Sequence, residues 1–163
     1  MSESRLHWVA GIEPHRLALM PRPRGGERLR EEVAAWRQAK VDSVLSLLEA
    51  QEAREFGLDA ESSLCAEYGI HFRSYPIADG GVPASKRELS SVLAPLRDEL
   101  VRGKAVAVHC RAGIGRTGLV AACLLHLLDV PHADVFHLLS LSRGFAVPET
   151  MAQAEWFDSF VRA

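Results

Sequence analysis

His109–Gly118, HCRAGIGRTG, joins two apolar segments of different kinds. Ahead of it, Ala105–Val108 (AVAV) is short, apolar and partly β-branched, the pattern of a buried parallel strand. Behind it, Leu119–Leu128 (LVAACLLHLL) is apolar nearly all round and long enough for a buried helix. Between them Gly113 and Gly115 allow the backbone angles of a tight cradle. A strand, a glycine turn and a helix start make an anion site. Unpaired backbone N–H groups converge there, and the helix dipole turns its positive end to the ligand. Arg116 adds a planar, bidentate donor for two phosphate oxygens, with Arg111, Ala112, Gly113, Ile114 and Gly115 forming the rest of the cradle. Cys110 falls at the helix N-terminus beside that arginine, and both neighbours favour the thiolate. Such a thiolate can attack phosphorus and carry a phosphocysteine, and Thr117 is placed to donate a hydrogen bond to the sulfur.

The other two cysteines lack this setting. Six residues beyond Cys65 and Cys123 stand His71 and Asp129, where Arg116 stands for Cys110. The competing account of Cys110 is an inert thiol in a structural turn. The strand, glycines and helix around it favour the nucleophile. Cys65 is expected to be a small buried apolar group, rather than a disulfide partner for Cys110, and Cys123 a core residue.

His-Cys-(five residues)-Arg-Thr-Gly resembles the signature of the cysteine-dependent protein phosphatases. Gly69-Ile70, Pro76-Ile77-Ala78-Asp79-Gly80-Gly81-Val82-Pro83 and Val120-Ala121-Ala122-Cys123-Leu124-Leu125 are similar to the atypical dual-specificity branch typified by the kinase-associated phosphatases. The resemblance extends roughly over residues 17–160. It implies a general acid at Asp79, on a loop before the signature. By residue type alone Asp79-Gly80 is equally an ordinary turn. The chemistry asks for an acid, because protonating the leaving oxygen is worth about 10²–10⁴-fold, and Gly80-Gly81 would let the loop close. The resemblance also implies that His109 orders the cradle, that Gln153 places the hydrolytic water and that Arg143 supports the loop through its carbonyls, the alternatives being a surface helix residue for Gln153 and a solvated side chain for Arg143. For Arg22 and Arg24, a basic turn before a helix is favoured over a role at the pocket rim.

The chain of 163 residues is expected to form a single domain, residues 1–163, able to bury a real core. A formal charge of -2 argues against nucleic acid as partner. No run is long and apolar enough for a membrane span, and no secretory leader opens the chain. Three unevenly spaced cysteines suit a reducing interior, so a cytoplasmic location is expected. The resemblance implies a phosphorylated protein as partner, and the sequence leaves the oligomeric state open, with a monomer favoured. The histidines and cysteines show no metal-ligand spacing, so neither metal nor cofactor is expected.

Along the chain, His7–Ile12 and Leu17–Met20 suggest an edge hairpin, Glu27–Ala39 an amphipathic helix and Val41–Leu48 a central strand. Residues 49–68 suggest helices broken near Gly57, followed by a strand at His71–Tyr75. Ser85–Arg102 reads as a helix with a capping box from Ser85 to Glu88. Two further helices are expected, from Pro131 to about Ser142 and from Pro148 to about Val161. This alternation predicts an α/β fold, a mostly parallel sheet of about five strands with helices on both faces. Its ligand should bind beyond the carboxyl ends of the strands, where Asp79 and Cys110 can face one phosphate.

The expected reaction is hydrolysis of phosphotyrosine, with phosphoserine and phosphothreonine as further candidates, because a phenol of pKa about 10 is the better leaving group. Relatives that take lipid phosphates often carry lysines in this loop, and here Arg111 is the single extra base. The alternatives are a phosphoprotein-binding module without catalysis, or a phosphatase for phosphoinositides or RNA 5′ ends.

Overall fold

Among the described residues five short stretches form one sheet: β1 (His7–Trp8), β2 (Arg16–Met20), β3 (Ser43–Ser46), β4 (His71–Ser74) and β5 (Ala105–His109). The structure, a computed structural model, describes residues 5–163. The strand order is β1-β2-β5-β3-β4. The last four of these run parallel, and β1 pairs antiparallel with β2 at the edge. The helices are α1 (Leu29–Gln38), α2 (Ala50–Glu55), α3 (Glu61–Glu67), α4 (Lys86–Val101), α5 (Gly115–Leu127), α6 (His132–Arg143) and α7 (Met151–Arg162). The architecture is the mostly parallel α/β sheet that the alternation of elements predicts.

Every residue of β5 is buried, and its side chains alternate between two cores. Val106 and Val108 join Leu89, Leu93, Leu119, Leu124, Leu139 and Phe157 from α4, α5, α6 and α7. Ala107 joins Leu29, Val33, Trp36 and Cys65 from α1 and α3 on the other face. A strand covered on both faces must be apolar throughout, which is why AVAV reads as continuous hydrophobic sequence. Helix α5 is buried from Gly115 to Leu125, because it lies between β2 and β5 on one side and α6 and α7 on the other.

The expected elements are present with altered ends. The chain leaves β1 after Trp8, well short of Ile12, and turns through Gly11 at φ 86. Val41 and Leu48 flank β3 outside its ladder and still reach the core. A 3-10 turn at Gly26–Arg28 precedes α1. Residues 49–68 form two helices, broken at Gly57 (φ 69). Ser85 caps α4 by accepting the Glu88 backbone N–H at 3.1 Å. Pro148 does not open α7. The helix starts after Thr150, which exchanges hydrogen bonds with Gln153 in a reciprocal capping box. Among the described residues no helix is long and apolar enough to cross a membrane.

Phe157 anchors α7, fully buried, with the Phe136 ring edge-on at 5.0 Å and the His132 ring stacked at 5.5 Å. Phe157→Ala should lower the free energy of unfolding by about 3–5 kcal/mol, read as a fall in the urea midpoint.

Candidate active site

Parallel β4 and β5 end on the same side of the sheet, and the segments that follow them carry Asp79 and Cys110. After β5 the chain makes a loop from Cys110 to Ile114 and enters α5 at Gly115. Gly113 has φ 75, and a Cβ there would stand 2.4 Å from the Met20 carbonyl. Only glycine fits this seam between the loop and the end of β2.

The carbonyls of Arg111, Ala112 and Gly113 are taken up from outside the loop. Arg22 N–H donates to the Arg111 oxygen at 3.0 Å. Arg143 Nη2 donates to the Ala112 oxygen at 2.8 Å and its Nε to the Gly113 oxygen at 3.0 Å. Arg143 thus supports the loop in the manner the resemblance implies. The backbone N–H groups of Arg111, Ala112, Gly113 and Ile114 have no acceptor among the described residues. With the carbonyls turned away and the α5 N-terminus behind, the concave side of the loop is a field of donors suited to an anion.

Arg116 is the largest fully buried side chain in the fold. Its Nη1 donates to Glu52 Oε2 and to the Ile77 carbonyl, both at 2.8 Å, and its Nη2 to Glu52 Oε1 at 2.9 Å and Asp79 Oδ1 at 3.3 Å. Burial works against its charge. The Glu52 hydrogen bonds and the nearby Cys110 sulfur and Asp79 outweigh that and raise Arg116 above its ordinary value. Arg116 in turn lowers Glu52, against the opposing pull of burial. Asp79 is 60% exposed and its Oδ2 is 3.7 Å from Arg111 Nη1. Cys110 is 3% exposed at the loop floor.

Beneath the loop, His109 is fully buried. Its Nδ1 lies 3.2 Å from the Cys110 carbonyl oxygen, to which it can only donate, and its Nε2 is 2.6 Å from Glu61 Oε2. Gln153 is also fully buried. Its Oε1 accepts from the Glu149 and Thr150 N–H groups, and its Nε2 reaches the Gly81 oxygen at 3.4 Å. A Cβ on Gly115 would lie 3.3 Å from that same Nε2. Gln153 therefore touches both the Asp79 loop and the start of α5 while capping α7. The Thr117 hydroxyl is buried without a hydrogen-bond partner among the described residues.

The structure thus gathers Cys110, Arg111, Arg116, Thr117, Asp79, Gln153 and His109 at one end of the sheet. Glu52 and Glu61 are additions that sequence reasoning missed. Each carried a visible sign: Glu52 is spaced four residues from Leu48 and Phe56, and Glu61 three from Leu58 and Leu64, so each charge falls on an apolar stripe. Of the remaining cysteines, Cys65 packs in the core across the sheet from Cys110, and burial followed by Glu61 pushes it up to about 12. Burial also raises Cys123. All three cysteines are free. Arg24 is a structural cation, paired with Glu32 at 2.9 Å.

Glu52 is held below its ordinary value, so its contribution to stability is complete above that value and disappears as the pH falls through the lowered one. Glu52→Gln should therefore reduce the urea midpoint at neutral pH, with the difference from the unsubstituted chain closing progressively below pH 4.5.

Residues 18–128 match the family model described as polymorphic toxin system, DSP-PTPase phosphatase. Cyclin-dependent kinase inhibitor 3 of Sus scrofa is 34% identical over 97 residues, covering 58% of this chain and 45% of that protein. Protein tyrosine phosphatase PRL-1 of Leishmania major is 31% identical over 118 residues, covering 67% of this chain and 66% of that protein. A crystal structure of kinase associated phosphatase, with serine in place of its catalytic-site cysteine, has the same fold. Its TM-score is 0.88 at 20% identity, over 98% of this chain and 95% of that one. The chain spans less than half the length of several curated relatives it matches. With the family model covering most of its length and the fold in agreement, this chain belongs to the tyrosine and dual-specificity phosphatase family.

Proposed function

We propose that the chain hydrolyses phosphotyrosine in proteins, with phosphoserine and phosphothreonine as secondary substrates, through a phosphocysteine intermediate. The observation that carries this reading is the buried Arg116 guanidinium, fixed by Glu52 and reaching Asp79 beside the Cys110 floor.

The phosphate dianion enters the loop and takes hydrogen bonds from its free N–H groups and from Arg116. In doing so it competes with Asp79 for the outer guanidinium nitrogen. The released carboxyl then turns to the leaving oxygen, where the general-acid role requires its protonated form. The Cys110 sulfur attacks phosphorus as the bond from phosphorus to the tyrosyl oxygen breaks, and that oxygen takes the Asp79 proton. In the second step the Asp79 carboxylate removes a proton from water positioned by the Gln153 amide. The water oxygen bonds to phosphorus, the S–P bond breaks, and the electron pair returns to sulfur. The unpartnered Thr117 hydroxyl donates to that sulfur as its charge reappears. His109 and Glu61 hold the Cys110 carbonyl from below and touch no substrate.

Cys110→Ser should bind a phosphotyrosine peptide without turning it over, measured by calorimetry alongside phosphate release. Undiminished release would refute the covalent route. Asp79→Asn should lower kcat on a phosphotyrosine peptide by about 10²–10⁴-fold, and far less on an aryl phosphate whose phenol is strongly acidic. An equal loss on both substrates removes Asp79 as the acid.

A further inference from the structure

Four arginines gather beside the loop, and the structure neutralises them unequally. The Glu32 carboxylate, 6% exposed, takes Arg5 at 2.5 Å and Arg24 at 2.9 Å. Arg22 has no carboxylate partner among the described residues. Its Nη1 donates to the Pro23 carbonyl at 3.1 Å, and its guanidinium lies 4.0 Å from the centre of the Phe56 ring. Arg111 lies over the same ring at 5.4 Å. Burial, then the charges of Arg5 and Arg111, pull Arg22 below its ordinary value.

Two guanidiniums held at one ring repel each other, and the ring's cation–π attraction offsets this only in part. Arg111 has a carboxylate within ion-pair distance, Asp79, in a contact where both side chains are 60% exposed. On the reaction proposed above, Asp79 turns to the leaving oxygen during catalysis, and the pair is then left with no carboxylate in ion-pair contact, Glu52 acting on Arg111 only through its charge while it binds Arg116. The Arg22 backbone is bonded to the loop residue next to Cys110, so this weakly compensated charge sits at the rim of the cradle itself.

We infer that Arg22 and Arg111, gathered on Phe56, form a second anion subsite, and that the preferred substrate is a phosphopeptide with another anionic group next to the scissile phosphate. That group is a second phosphoryl or a carboxylate, both of which guanidinium binds bidentately. A polypeptide is favoured over a small polyphosphate by the surroundings. Phe145 and Met151 are exposed, Phe145 lies against Arg143, which holds the loop, and Met151 is two residues from Gln153. Apolar surface there suits flanking side chains.

This inference rests on the proposed phosphatase reaction, and one kinetic panel separates the two. The full chain is given p-nitrophenyl phosphate, phosphotyrosine peptides whose neighbouring residue is alanine, glutamate or phosphoserine, and a soluble inositol bisphosphate. The phosphoserine neighbour should raise kcat/KM about tenfold over alanine, and glutamate by less. Both gains should shrink as salt is raised. In Arg22→Gln, checked for an unchanged melting profile, the ratio of phosphoserine to alanine peptide should fall towards one, while Arg22→Lys keeps a larger part of it. A ratio of one in the unsubstituted chain, or a ratio untouched by Arg22→Gln, overturns the subsite while p-nitrophenyl phosphate turnover leaves the reaction standing. A larger gain for the inositol bisphosphate than for the peptides overturns the peptide assignment. No turnover of any substrate overturns the reaction and the subsite together.

Discussion

A guanidinium buried at the carboxyl end of a sheet is costly unless its donors are matched. Arg116 meets that condition through two oxygens of Glu52, the carbonyl of Ile77 and one oxygen of Asp79. Those partners come from α2 and from the segment after β4 that carries both Ile77 and Asp79, while Arg116 itself stands on α5. One side chain therefore fixes the relative positions of three elements that are far apart in sequence. The loop around Cys110 needs this, because its own backbone makes few internal bonds. Its carbonyls are held by Arg22 and Arg143 and its amides are left for a ligand.

The same division of labour runs through the rest of the site. Side chains from outside the loop fix its convex face: Arg143 from α6, His109 from β5, Glu61 from α3. The concave face is left to the amides and the tip of Arg116. A donor set held in place before the ligand arrives loses little energy to reorganisation at the moment of reaction. Gln153 shows how economically the elements are shared, since one amide closes the start of α7 and also touches the Asp79 loop.

The contiguous part of this site was legible in the sequence. Strand, glycine loop, arginine and helix start are local, and local patterns follow directly from residue type and period. The sheet was legible for the same reason, because AVAV and VDSVLSLL can sit only where both faces are covered. Element ends were less so: Pro148 looks like a helix opener, yet the reciprocal bonds of Thr150 and Gln153 set the start of α7. The carboxylates were harder still. Glu52 and Glu61 act on residues 64 and 48 positions away, and no local rule names their partners. What does show is that Glu32, Glu52 and Glu61 each occupy a place where the surrounding helix wants an apolar residue. In this chain a carboxylate on an apolar stripe marks an arginine or histidine partner supplied by another segment.

The seam at Gly113 has a consequence for how such a chain can change over generations. With a backbone carbonyl 2.4 Å from where any Cβ would lie, the floor of the cradle cannot drift in sequence without β2 moving with it. A second seam of the same kind ties the turn of Arg22 to that of Phe56, since a Cβ on Gly25 would stand 1.8 Å from the Phe56 carbonyl oxygen, whereas at Gly144, beside Phe145, a Cβ would meet nothing within 4 Å. Divergence is thereby channelled to open turns such as that of Phe145, so descendants of this molecule can acquire new targets while the grip on the phosphoryl group stays as it is.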